Sequence, residues 1–496
     1  MTSKSKTQRD FFKQVSTFSS ASLLTQAITL VAAILTRRFL GPVQTGVWSI
    51  LQVILTYSAY TTLGTMDAAT REIPSCKGRG DVSKADRIKN LVFTFGVLSA
   101  VIVAVGILIY AFVNRDGFNR DVYIGLLFAS ILVVLQRINN LQIVFLRAYK
   151  HFNIAAQQMI WSAIANALLV AFFAYRFKLH GFMIAMMLSF IFNIAFVARK
   201  RVFKLMTWVW NKELLIKLIK LGMPLLILTA LSGFLMTVDR LLVARFLGFE
   251  ATGLYSIAIM ANTCLANFPN SIGIVLIPNV EGRYGEKERI EHLKPMIDKL
   301  RFAFTIIMPA LIGIAWLLVP LFLKLLLPDF IKSLWAVRFL LLSSFFFALV
   351  QPYWNLMIVM RKHLFLIPMM SFALIAALVL SYFAIKIGFG IEGVALTMTF
   401  VTFLEFTMLF FIASRYLLNR AQRIYQYGLT LLMLFSVIII LSLLEMLTIK
   451  INGLPQPLIK AVLFLAVYSP FLVVLERKIK VLPLVKQKIY GAPPEI

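Results

Sequence analysis

The chain has only two cysteines, Cys76 and Cys264, in 496 residues. That excludes a disulfide framework and a four-cysteine metal centre. The four histidines, His151, His180, His292 and His363, stand singly with no HExxH or similar ligand spacing, so neither a metal site nor a cofactor is expected. Charge is scarce as well: 14% of residues carry it, against about a quarter in ordinary soluble domains. What charge there is has one sign in excess, 50 Lys+Arg against 21 Asp+Glu, for a net +29. In its place stands apolar bulk, 60% of the residues, more than a soluble core of this length could enclose. The apolar runs reach the length of about 20 residues that crosses a bilayer. The chain therefore reads as an all-α polytopic membrane protein. The basic excess then needs no nucleic acid, because lysine and arginine collect in loops on the cytoplasmic side.

Fourteen apolar windows are expected to span, near 15–36, 46–66, 90–113, 122–145, 154–175, 181–198, 221–242, 253–277, 301–323, 335–359, 364–386, 391–413, 429–449 and 458–475. The first exceeds the 7–15 apolar residues of a cleavable signal peptide, and no small-residue cleavage site follows it. With the N-terminus cytoplasmic, 35 of the 50 basic residues fall in inner segments. An even number of spans then puts both termini on the cytoplasmic side. The longest connections, about 67–89, 199–220 and 278–300, are basic and too short for an extramembrane domain. Function is expected within or between the helices.

A segment repeats. Residues 39–50 (FLGPVQTGVWSI) return as 246–257 (FLGFEATGLYSI), identical at seven of twelve positions and 207 residues apart. Lys150-His151 followed by Gly181 returns as Lys362-His363 followed by Gly393, 212 residues apart. Two matches at nearly one offset argue for duplication of a six-helix unit. Two parallel repeats of this kind bind substrate between them near the midplane. The expected organisation is an N-tail (1–14), an N-lobe of helices 1–6 (15–198), a linker (199–220), a C-lobe of helices 7–12 (221–413), two extra C-terminal helices (429–475) and a C-tail (476–496).

At the repeated FLGPxxxG-aromatic segment, and again over 237–248 (TVDRLLVARFLG), the chain resembles the polysaccharide flippases of the multidrug/oligosaccharidyl-lipid/polysaccharide exporter superfamily. These include the O-antigen and capsule repeat-unit translocases. The resemblance spans roughly 10–475 in layout. It implies a MATE-like fold of two six-helix lobes, alternating access, and no enzymatic reaction. It also implies a polyprenyl-diphosphate-linked glycan as substrate, polysaccharide polymerase machinery as a partner, and the bacterial or archaeal inner membrane as the location. Lipid II flippases of the superfamily carry arginines in their first helices, whereas residues 15–36 here carry no charge. A cation-coupled multidrug exporter on the same fold would concentrate acidic residues in the lobes; here the clearest interior charge of the first lobe is Arg137. An oligosaccharide polymerase or lipid-linked glycosyltransferase would need a sizeable loop or an acid/base cluster, and neither is seen.

Polar residues in hydrocarbon mark the candidate site. An arginine near the bilayer centre costs about 2.5–3.5 kcal/mol on insertion scales and therefore seeks a partner or a wet cavity. Arg137 lies about 12 Å from the cytoplasmic end of span 4 at 1.5 Å per residue. Gln136, Asn139, Asn140 and Gln142 surround it in sequence. The expected role is a cavity-facing cation for a diphosphate, with amides for sugar hydroxyls; an internal polar network is the other reading. Were Arg137 sealed inside one half, the case for an anionic substrate would fall. Asn267 and Asn270 in span 8 and Gln351 and Asn355 in span 10 are amides of the same kind, suited equally to glycan or to helix–helix bonding. Asp239 and Arg240, expected near the outer end of span 7, and the repeat-matched Arg38 and Arg245 are gate candidates, with interface anchoring as the alternative. Glu405, an acid within span 12, is a coupling-ion candidate or an ion-pair partner. Residues 1–220 hold only Pro42 and Pro74, outside the expected spans, whereas Pro269, Pro309 and Pro352 fall inside spans; bending is expected in the second lobe.

Overall fold

Helix α1 (Ser3–Ser58) carries the first two apolar windows and bends between them at Gly41 (φ 71°, ψ 177°). Only glycine adopts that backbone without strain, and Pro42 next to it suits the first turn of a helix, where its missing N–H leaves no bond unmade. The computed structural model describes the backbone of residues 3–202, 206–287, 293–360, 362–447 and 456–479, with side chains described from residue 24 to residue 474 except in 271–292 and at 363. After α1, a 3₁₀ turn (Ala59–Thr62) leads to α2 (Thr65–Gly78), α3 (Val82–Val113), α4 (Arg120–Ala148), α5 (Phe152–Arg199) and α6 (Lys212–Leu235). Then come α7 (Val238–Lys287), α8 (Lys294–Leu326), α9 (Leu334–Val359), α10 (Leu366–Lys386), α11 (Gly390–Ser414), α12 (Arg420–Met446) and α13 (Gln456–Ile479). No strand occurs among the described residues.

Eleven continuous segments are long and apolar enough to span, where the sequence reading expects fourteen spans. The difference is three fusions. Leu24–Thr62, Phe152–Arg199 and Lys212–Asn270 run 39, 48 and 59 residues, each longer than one crossing needs. Each joins helices across a kink where the backbone leaves helical geometry, at Gly41, Lys178 and Gly248, and the last also crosses a turn at 236–237. The seventh expected span (221–242) is corrected too. α6 stops at Leu235, and Asp239 and Arg240 open α7 instead. Pro42 likewise lies inside α1 rather than outside it.

The chain forms two compact units, residues 1–253 and 254–496. In the first, Leu51, Ala129 and Met183 belong to a cluster joining α1, α4 and α5, and Ile73, Leu91, Phe145 and Leu218 to another joining α2, α3, α4 and α6. Gly64 (φ 77°) abuts the backbone of Gly222, an approach that admits no Cβ on either side. In the second unit, Ile306 and Leu317 of α8, Val437 and Leu441 of α12, and Phe464 and Tyr468 of α13 share one core. Tyr468 donates its hydroxyl hydrogen to the carbonyl of Ile306 (3.0 Å). The two helices beyond the repeat are thus packed onto α8. Outward faces are apolar as well: Leu432, Phe435, Ile439 and Leu443 of α12 are all more than half exposed. That pattern suits a surface whose solvent is lipid.

The repeated segment has one backbone in both copies. Gly248 (φ 84°, ψ −178°) reproduces Gly41 at the same offset of 207 residues. A Cβ on Gly46 would overlap the carbonyl of Phe249, and one on Gly253 would overlap the carbonyl of Pro42. Each glycine meets the position four residues before its own counterpart. Reciprocal contact of this sort defines a two-fold relation, and it explains why both copies keep glycine there.

Candidate functional site

The polar turn of α4 divides between two surroundings, because residues two apart on a helix point to nearly opposite sides. Arg137 turns toward α1 and α3. One of its terminal nitrogens donates to Ser99 Oγ (3.2 Å), and the other to the carbonyl of Ser58 and to Thr61 Oγ1 (3.4 Å). Ser58 ends α1, whose last carbonyls lack helical partners, so a cation there is favoured both by hydrogen bonding and by the helix dipole. The hydroxyls nearby are already engaged with backbone, Thr61 donating to Ser58 (2.8 Å) and Thr65 to Thr62 (2.9 Å). Arg137 is 2% exposed. The expected cavity-facing cation is therefore corrected: the guanidinium is sealed inside the first unit, held by uncharged oxygens.

Asn139 turns the other way, to a cavity of about 240 Å³ bounded by α1, α4 and both halves of α5. Its Oδ1 accepts from Gln158 Nε2 (3.3 Å). Asn193 Nδ2 donates to Ser162 Oγ (2.8 Å), and Ser189 Oγ to Asn166 Oδ1 (3.2 Å). Thr25 and Thr29 add hydroxyls, and among the described residues no charged one lines the space. Of the residues expected to bind substrate, Asn139 alone lines this cavity; Gln136 and Asn140 are half-buried on α4. The rest of the lining was not anticipated. A signal was available, since Gln158, Ser162 and Asn166 recur every four residues and Ser189 and Asn193 do the same, one face of a helix each.

None of the second-unit candidates lines this cavity. Asn267, Gln351 and Asn355 are half-buried and Asn270 is exposed, while Ser343 Oγ donates to Asn262 Oδ1 (3.1 Å). Glu405 is buried in α11 at 9% exposure. Asp239, 4% exposed, accepts from the backbone N–H of Arg240 (2.8 Å) in the first turn of α7. A carboxylate there complements the helix N-terminus. Arg240 is half-buried, and Arg38 and Arg245 are both exposed.

One cluster escaped the sequence reading. Arg338 of α9, 7% exposed, pairs with Glu445 of α12 and lies 5.2 Å and 4.9 Å from the ring centres of Trp316 and Trp335. Trp316 Nε1 donates to the same carboxylate (2.9 Å). At the helix ends, Tyr149 donates to Asp86 (2.8 Å) and lies beneath Lys77 (4.7 Å), while Lys362 sits over Tyr416 (3.8 Å). Burial, then hydrogen bonding to Asp86, pushes the Tyr149 phenol above its ordinary pKa. Burial, then the charge of Lys77, lowers that of His151. No group of three or more metal-ligating side chains occurs among the described residues.

The fold is that of helical membrane transporters. The chain is similar to an inward-closed structure of the lipid II flippase MurJ (TM-score 0.71, 15% identity, covering 93% of this chain and 99% of that one). It is also similar to an inward-facing MATE family multidrug resistance transporter of the MOP superfamily (0.64, 17%, 82% and 95%). A third similar structure is a MOP superfamily transporter from Pyrococcus furiosus (0.57, 16%, 84% and 96%). No curated protein sequence matches the chain. The family model for polysaccharide biosynthesis proteins matches residues 11–280, more than half of the chain, which belongs to that family.

Proposed function

We propose that the protein flips a polyprenyl-diphosphate-linked oligosaccharide from the inner to the outer leaflet of the cytoplasmic membrane, by alternating access between lobes at 15–198 and 221–413, for cell-surface polysaccharide synthesis. The observation that carries this reading is a polysaccharide-biosynthesis family match on a chain whose longest connection between helices is residues 200–211. A protein of that pathway with its mass in the bilayer serves by moving substrate, not by reacting with it. Since Arg137 is sealed, it does not ligate the diphosphate and gives no support to an anionic substrate; the diphosphate rests on the family match alone. Its part is long-range: a positive charge with no carboxylate partner among the described residues raises the potential of the surfaces around it. Asn267, Asn270, Gln351 and Asn355 serve as amides for glycan on the second lobe. Arg38, Arg245, Asp239 and Arg240 serve the outer gate, and Glu405 the coupling step.

Moving one charge through 100 mV is worth about 2.3 kcal/mol, so export of two negative charges gains roughly 4.6 kcal/mol from an inside-negative potential. Deletion of the gene followed by lipid extraction tests the reading: a lipid-linked oligosaccharide should accumulate at the cytoplasmic face. An unchanged lipid-linked pool removes it. One observation favours a cation-coupled exporter on the same fold, the buried acid Glu405; drug efflux lost in Glu405→Gln, with the lipid-linked pool unchanged, would select that alternative.

A further inference from the structure

We propose that the cavity between α1, α4 and α5 is a binding site for a single uncharged sugar ring of the translocated glycan, an inference that rests on the flippase reading above. Its volume, about 240 Å³, has room for one ring and not for an oligosaccharide. Three donors of its polar lining are spent within it, Gln158 Nε2 on Asn139, Asn193 Nδ2 on Ser162 and Ser189 Oγ on Asn166, while the Thr25 hydroxyl is buried without a partner. The carbonyl oxygens Gln158 Oε1 and Asn193 Oδ1 are left buried without a partner, on residues only 3% and 4% exposed. Buried acceptors with nothing to accept are costly, and two of them around one space ask for an occupant rich in donors.

Charge narrows the occupant. Among the described residues the lining holds no carboxylate to offset a desolvated cation and no cation to offset an anion. A hydroxyl ligand meets both demands, since each hydroxyl donates one hydrogen and accepts at its lone pairs. Part of the wall is apolar, with Ile143, Met186 and Phe190. One apolar face and a few fixed polar groups are the usual make-up of a small-molecule site, and a pyranose presents a C–H face and a rim of hydroxyls to match it. Water alone would satisfy the amides and leave that wall wet.

The test uses the purified full-length protein in detergent, titrated calorimetrically with neutral hexoses, deoxyhexoses and N-acetylhexosamines, and separately with glucuronate and with sodium chloride. At least one neutral sugar should bind saturably, with glucuronate at least tenfold weaker. Gln158→Leu and Asn193→Leu should each weaken binding about tenfold or more, while Ser442→Ala on the exposed face of α12 leaves it unchanged. Binding of sodium but no sugar overturns the proposal in favour of an ion site; binding of none of these probes overturns it in favour of a water-filled space. Wild-type titration decides between these even if a variant fails to fold. If gene deletion accumulates a lipid-linked glycan but no sugar binds, the site falls and the flippase reading stands; if sugar binds and nothing accumulates, the flippase reading falls instead.

Discussion

Three arginines inside spanning helices have almost no exposure, 2% for Arg137, 5% for Arg301 and 7% for Arg338, and the first and last of them are accommodated in opposite ways. Arg338 has a carboxylate, Glu445, and stands against two tryptophans. Its charge is cancelled locally, and the group joins α9 to α12 and α8. Arg137 bonds a helix-terminal carbonyl and two hydroxyls, all uncharged. Its hydrogen bonds are satisfied while its charge remains. A buried arginine cannot escape by deprotonation, so a fold that omits the counter-ion keeps a fixed positive centre. The first arrangement fastens; the second holds a field.

The largest effect should come from Arg137→Met. The Ser58 carbonyl keeps its bond from the Thr61 hydroxyl, so what is lost is charge-assisted hydrogen bonding, at about 1.5–3 kcal/mol, which a protein of this size tolerates. Transport, followed by surface polysaccharide in a deletion strain and normalised to protein in the membrane, should fall tenfold or more, with Arg137→Lys intermediate. Normal transport in the methionine variant would reduce Arg137 to a fastener like Arg338. The converse is expected of Arg338→Met: it strands the Glu445 carboxylate, which is 29% exposed. We expect a loss of about 1–3 kcal/mol, between the values for surface and buried pairs, with transport per folded molecule unchanged. Adding Glu445→Met should return much of that stability, read as the melting midpoint in detergent. If the double variant is no better than the single, the pair is not what holds α12.

A second pair, the two copies of the glycine motif, should respond alike. Gly46→Leu and Gly253→Leu each force a side chain into a carbonyl of the other copy, overpacking that typically costs about 1–3 kcal/mol or more. Comparable midpoint losses are expected. A large loss at Gly46 with none at Gly253 would break the two-fold relation.

Fold and site were not equally legible in the sequence. Apolar windows give the helices because lipid leaves a continuous signal in composition, and the FLGPxxxG repeat marks a contact in which its two copies meet. Windows could not say that the spans on either side of Gly41, Lys178 and Gly248 are separated by a kink alone, since the kink lies in the backbone angles of one residue. Polar residues in spans were found as residue types, but their direction was not. Arg137 and Asn139, two positions apart, were assigned to one site and belong to two. The cavity lining on α5 was spaced for recognition and passed over because it carries no charge. The Arg338–Glu445 pair joins residues 107 apart in sequence, which no local pattern reveals.

His151 gives the smallest effect and a third way to hold a base. It precedes the first turn of α5, where partial burial and then the charge of Lys77 lower its pKa. The folded state thus prefers the neutral imidazole. A base depressed in this way contributes its full stability above the unfolded value of about 6.5, and the contribution is lost as pH falls through the lower folded value. Melting midpoints taken from pH 8 to pH 5 should therefore show wild type losing more stability on acidification than His151→Gln, with the two curves parallel above about pH 7. Parallel curves throughout would mean that the folded imidazole titrates as it does in the unfolded chain. Where Arg338 is neutralised by a partner and Arg137 keeps its charge, His151 would then belong with neither; a narrowing gap at low pH instead marks it as the base that sheds its proton.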